Sequence, residues 1–171
     1  YKNNNYDLIV ASQSYRAAAP VKTKVNNVIG PLIGLLNKSG KLLVTHTCGG
    51  ESINKILKLA FKDKEFFPNT AKDIIEYLKN SPFGEGGLYG FSKPINYYFR
   101  FKRAPDQTVT ELFGHNSDAK WANILYVGQV VEKDIQKLEG DPRLRNKVRK
   151  AIDNTNQLKF KNELFSITKV R

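Results

Sequence analysis

Two short apolar runs, Tyr6-Asp7-Leu8-Ile9-Val10-Ala11 and Lys41-Leu42-Leu43-Val44-Thr45-His46, set the architecture. Neither alternates apolar with polar residues as a strand with one wet face would, so both read as strands covered on both faces in a parallel sheet. Parallel neighbours need a crossover between them. One is present: after Pro20, residues Val25, Val28, Ile29, Leu32, Leu35 and Leu36 recur at helical spacing up to the stop signal Ser39-Gly40. Gly30, Pro31 and Gly34 weaken or bend that helix. The second run ends in the turn Cys48-Gly49-Gly50, and Ile53, Ile56, Leu57 and Ala60 then line a second helix that Phe61 ends. The order strand, helix, strand, helix places the chain in the α/β class.

Downstream, Thr70-Ala71-Lys72-Asp73 has the form of a capping box with Asp in place of Glu, opening a helix whose inner face is Ile74, Ile75 and Leu78. The glycine-rich stretch from Gly84 to Gly90 is not a dinucleotide fingerprint, because the third glycine would fall at Tyr89 and the stretch follows a helix; it reads as a mobile loop. Ile95 to Lys102 alternates, with Tyr97, Phe99 and Phe101 opposite Tyr98, Arg100 and Lys102, as in a half-exposed strand. Trp121, Ile124, Leu125, Gly128, Val131, Ile135 and Leu138 predict a helix, and Gly140-Asp141-Pro142 separates it from another. In that last helix Leu144, Val148, Ala151 and Ile152 form an apolar stripe among Arg143, Arg145, Lys147, Arg149 and Lys150. A β-rich run, Leu164 to Val170, closes the chain after a polar turn at Lys161-Asn162.

A length of 171 residues corresponds to one domain with a real core, and 40% hydrophobic with 26% charged residues argues against wholesale disorder. No run approaches the roughly 18 to 20 apolar residues of a bilayer span. Cys48 is the single cysteine, so neither a disulfide nor a cysteine-based zinc cluster is expected, and a reducing compartment, the cytoplasm, follows. With two histidines beside it, a dedicated transition-metal site is not expected either. The net charge of +12 admits polyanionic partners, but basic residues are spread along the chain and the one dense block also reads as a solvated helix face. Methionine is absent and the chain opens on Tyr1 in a polar run, which suggests a fragment.

The run from Tyr6 to Gln13 resembles the fourth-strand motif of class I S-adenosylmethionine-dependent methyltransferases. Leu35 to Val44 resembles the helix end and fifth strand that follow it, and the closing strand from Phe160 to Thr168 is similar to that of small-molecule enzymes of the histamine N-methyltransferase kind. The resemblance implies a Rossmann-like α/β sheet, mostly parallel, with an antiparallel closing strand and added helices. It also implies that residues 1–171 are the C-terminal part of one methyltransferase domain. The glycine-rich loop and the acidic residue with which that family holds S-adenosylmethionine have no counterpart here, so the segment is expected to bind the cofactor poorly alone.

In an open α/β sheet, ligands sit beyond the carboxyl ends of the strands. That rule and the resemblance make Ala11, Ser12 and Gln13 the candidate cofactor residues, and Ser14, Tyr15, Arg16 and Thr47 the candidate walls of a small-molecule acceptor pocket. His46 is the candidate general base, its alternative being a hydrogen-bonded strand-end histidine. Two further readings stay open: a methyltransferase of RNA or another polyanion, whose binding would weaken steeply with salt, and a non-catalytic interaction domain whose exposed sheet edge is covered by a partner chain.

Overall fold

The computed structural model describes residues 5–102, 132–153 and 157–171. The element order is β1 (Tyr6–Ser12), α1 (Val21–Lys24), a π-helical turn (Val25–Ile29), α2 (Gly30–Gly34), β2 (Leu36–Gly49), α3 (Glu51–Ala60), α4 (Ala71–Lys79), β3 (Tyr89–Phe91), β4 (Ile95–Lys102), α5 (Glu132–Glu139), α6 (Pro142–Asp153) and β5 (Gln157–Lys169). The result is a mixed α/β fold with a five-stranded sheet in the order β1-β2-β5-β3, β4 also pairing with β5. The chain groups into two compact units. One comprises Tyr1–Cys48, Phe67–Tyr97 and Asn162–Arg171; the other comprises Gly49–Phe66 and Tyr98–Lys161.

In the first unit β1 and β2 are parallel, with Ala11 opposite Val44 and Ser12 opposite Thr45. The crossover between them is the helical run Val21–Gly34, and Val25, Ile29 and Ile33 are its buried residues on the core side. The π turn directly precedes Gly30-Pro31. Proline cannot donate to the carbonyl four residues back and its ring crowds that position, so a locally wider turn relieves the clash. At Gly30 a Cβ would lie 2.3 Å from the Phe83 ring, so the missing side chain is what lets Phe83 pack flat on the helix. Leu42 and Val44 of β2, Ile74, Ile75 and Leu78 of α4, and Phe165 and Ile167 of β5 complete the core.

Several expectations are corrected. The helix stops at Gly34, and Leu36, assigned to it by spacing, already belongs to β2. The Tyr6 N–H bonds the Leu35 carbonyl at 2.8 Å, so pairing with β1 pulls the chain into strand before the expected stop signal. Ser39 (φ 66°) and Gly40 instead make a bulge inside β2, where a Cβ on Gly40 would meet the Tyr6 carbonyl at 2.7 Å. Strand β1 is not covered on both faces: it is an edge strand, with Tyr6, Leu8 and Val10 exposed, the last two by 56% and 60%. Nor is the sheet mostly parallel. The β1–β2 pair has a helical crossover that permits parallel pairing, but β3 runs antiparallel to β5, Tyr89 opposite Lys169.

The glycine-rich stretch also has more structure than a loop, since Tyr89–Phe91 is a strand after a short 3-10 turn at Glu85–Gly87. Between β3 and β4, Pro94 has no N–H for the ladder, and Ser92 Oγ accepts from the Ser166 N–H at the break. The expected turn at Lys161-Asn162 is strand interior, and Asn162 is only 3% exposed. The capping box is formed: Thr70 Oγ1 accepts from the Asp73 N–H while Asp73 Oδ2 accepts from the Thr70 N–H at 2.7 Å.

In the second unit Ile53, Ile56 and Leu57 are the buried residues of α3, which packs against α6, where Val148 is buried and Leu144 half-buried. The Phe61 and Phe66 rings meet at 5.5 Å between centroids with their planes tilted by 59°. Arg143, Lys147 and Lys150 are exposed on α6. The predicted residues Trp121 to Val131 lie outside the described residues; Ile135 and Leu138 fall on α5.

Candidate functional site

The two strands are parallel and β1 ends at Ser12 opposite Thr45, four residues before β2 ends at Gly49, so the carboxyl end of β1 lies beside the C-terminal part of β2. The Thr45 hydroxyl donates to Ser12 Oγ at 3.3 Å and accepts from the Gln13 N–H at the same distance. Gln13 has φ 50°, a left-handed conformation that turns the chain sharply off the strand. Ser12, Gln13 and Ser14 are exposed, as is Arg16. Ala11 is only 3% exposed and belongs to the core, so its side chain serves packing. Thr45 completes the polar group at the strand ends and went unnoticed in the sequence because it sits within an apolar run.

Tyr15 turns inward beside His46. Its hydroxyl lies 3.0 Å from His46 Nδ1, and the other ring nitrogen, Nε2, lies 2.8 Å from the Asn69 carbonyl. A carbonyl only accepts, so Nε2 carries the proton and Nδ1 accepts from Tyr15. His46 has no exposed surface, and its Nδ1 lone pair faces the Tyr15 phenol. Burial pushes the imidazole pKa down against the partial offset of the Asn69 bond, and burial pushes the Tyr15 phenol up, reinforced by Cys48 and Glu163. Both groups are held neutral. His46 is thus hydrogen-bonded at both ring nitrogens, as in the alternative reading of a hydrogen-bonded strand histidine.

Lys24, fully buried, lies 5.2 Å from the Tyr15 ring centroid and donates to the Ala17 carbonyl at 2.8 Å and to Asn69 Oδ1 at 2.5 Å. Burial lowers its pKa to about 8. Thr47 does not join the strand-end group, since its hydroxyl donates to Asn162 Oδ1 at 2.9 Å. Asn162 Nδ2 is buried with no hydrogen-bond partner among the described residues. Cys48 Sγ donates to Glu163 Oε2 at 3.1 Å, and the same oxygen accepts from the Ala71 N–H at the first turn of α4. Glu163 is the residue the sequence reading missed; its signal was a carboxylate inside the strand-forming run that closes the chain.

No family model matches the chain, and no curated protein matches it. Among solved structures, a provisionally assigned methyltransferase from Bacillus halodurans C-125 aligns with a TM-score of 0.48 and 11% identity, over 100% of this chain and 67% of its own. No helix among the described residues is long and apolar enough to cross a membrane. The chain is mixed α/β, with exposed polar groups where β1 ends beside β2 and, separately, a buried Tyr-His-Lys-Asn network.

Proposed function

We propose that this chain is the acceptor-side, C-terminal part of a Rossmann-like, S-adenosylmethionine-dependent methyltransferase acting on a small molecule. The observation that carries the reading is the convergence of Ser12, Gln13 and Thr45 where β1 ends and its pairing with β2 stops, on the carboxyl side on which open α/β sheets bind ligands. The motifs at Tyr6–Gln13 and Leu35–Val44 supply the family.

When bound, the cofactor supplies an activated methyl group for an in-line displacement, whose rate depends on alignment and on excluding water. Ser12 Oγ and the Gln13 amide offer donors and acceptors to its polar groups, which fits. Among the described residues no carboxylate is hydrogen-bonded to Ser12, Gln13 or Thr45, so the described part of the site offers hydroxyl and amide groups alone. Tyr15 is the acceptor-facing group. His46 Nδ1 accepts the hydrogen bond of the phenolic O–H, leaving the Tyr15 oxygen lone pairs to accept a hydrogen bond from the methyl acceptor; Ser14 and Arg16 flank it. Two neutral groups suit positioning better than proton abstraction.

Calorimetry with S-adenosylmethionine on the natural polypeptide that carries this segment tests the reading. The double variant Ser12→Ala/Gln13→Ala should lose about tenfold in affinity, on the order of two net hydrogen bonds. Absence of binding by the unaltered polypeptide sinks the proposal. The exposed apolar row Tyr6, Leu8 and Val10 favours a second reading, an interaction domain whose β1 edge is covered by a partner chain. In that case the isolated segment self-associates and shows no cofactor binding in any form.

A further inference from the structure

We propose that His46, Cys48 and Glu163 form a Zn²⁺ site that ties the carboxyl end of β2 to β5 and to the start of α4. One ligand atom from each residue lies within 4.8 Å of the other two, although Cys48 and Glu163 stand 115 positions apart in sequence. Tetrahedral bonds of about 2.0–2.3 Å place ligand atoms roughly 3.3–3.6 Å from one another. The Sγ to Oε2 distance is 3.1 Å, so that edge of the tetrahedron exists, and the other two are no longer than 4.8 Å.

The surroundings are those of a ligand set already oriented. The Asn69 carbonyl holds the Nε2–H of His46 and so leaves the lone pair on Nδ1, which is how a backbone carbonyl fixes the tautomer of a metal-binding imidazole. The Ala71 N–H holds the Glu163 carboxylate. Tyr15 Oη, 3.0 Å from Nδ1, releases that nitrogen when the metal takes its lone pair and offers an oxygen for the fourth position.

A thiolate with an imidazole selects zinc over magnesium or calcium, which prefer oxygen alone. Without metal, the proton lies between Cys48 and Glu163, thiol to carboxylate. Binding replaces that proton, which leaves to solvent, and the thiolate and carboxylate then bring two negative charges to the ion, one of them offset by the Lys24 ammonium nearby. Nothing in this assignment requires methyl transfer; a chain with no affinity for S-adenosylmethionine still binds the ion.

The test is titration of the reduced 171-residue chain with Co²⁺ after chelator treatment. One equivalent should bind with the intense visible bands of a tetrahedral site and a thiolate-to-cobalt charge-transfer absorption, and Zn²⁺ should displace it. Cys48→Ser should remove the charge-transfer absorption. Glu163→Gln keeps an oxygen for the Ala71 N–H and should weaken Zn²⁺ binding by at least about tenfold, the lower bound for loss of a supporting partner. An unaltered chain without the charge-transfer absorption overturns the proposal whatever the variants do, as does a Zn²⁺ affinity that neither substitution changes in folded protein.

Discussion

Replacing Lys24 by methionine isolates the cost of burying a charge under the helix crossover. The side chain has no exposed surface, and its pKa falls from 10.5 to about 8, chiefly through burial. The unfolded chain keeps the proton up to about 10.5 while the folded chain releases it near 8, so between those values the unfolded state binds more protons and stability rises with pH. At about 1.4 kcal/mol per pH unit the gain is about 3 kcal/mol in all. Below about pH 8 both states are protonated and the folded chain carries the full cost. The methionine variant escapes this cost but leaves the Ala17 carbonyl and Asn69 Oδ1 without their donor, at roughly 1–3 kcal/mol each. Near pH 7 the two effects largely offset, and near pH 10 the uncharged amine still donates while the variant does not. Urea unfolding of both proteins from pH 7 to 10.5 gives the difference in stability, which should widen by about 3 kcal/mol in favour of Lys24. A difference that stays flat across the range refutes the buried-charge argument.

Gly30→Ala forces a Cβ into the Phe83 ring and should cost about 1–3 kcal/mol in thermal or urea unfolding; adding Phe83→Ala should make the glycine change nearly silent, a coupling that a double-mutant cycle measures. Thr70→Ala removes the α4 cap for about 1 kcal/mol. The Thr70 N–H holds the Asp73 carboxyl below its usual pKa, so its share of stability is present above the ordinary carboxyl range and disappears as pH falls through the lowered value; acid titration of Asp73→Ala against the unaltered chain reads this. Leu8→Lys and Val10→Lys on the exposed face of β1 should leave unfolding within about 0.5 kcal/mol of the unaltered chain, while reducing any concentration-dependent association seen by sedimentation.

Local patterns in the sequence predict well where local forces decide. Ile74, Ile75 and Leu78 form a buried face, and Thr70 caps the helix they belong to, because helical period and cap chemistry act over a few residues. Where a distant strand decides, the sequence misleads. Leu36 keeps helical spacing yet enters β2, because hydrogen bonding to β1 outweighs its propensity. Lys161-Asn162 has turn composition yet lies in β5, because Asn162 answers Thr47 across the sheet. The candidate site divides the same way. Ser12 and Gln13 are legible from a strand-end rule, whereas the company His46 keeps depends on Asn69, Lys24 and Glu163, which only the fold gathers.

The break at Pro94 gives the sheet two unlike margins. On the β3–β4 side, a residue with no N–H interrupts the outer row of backbone groups among the described residues, which disfavours a continuous added strand there. On the β1 side the row is unbroken and flanked by exposed Leu8 and Val10. Among the described residues strand addition is open only along β1, so two copies of this segment joined β1 to β1 would make a two-fold pair in which that margin of both is used.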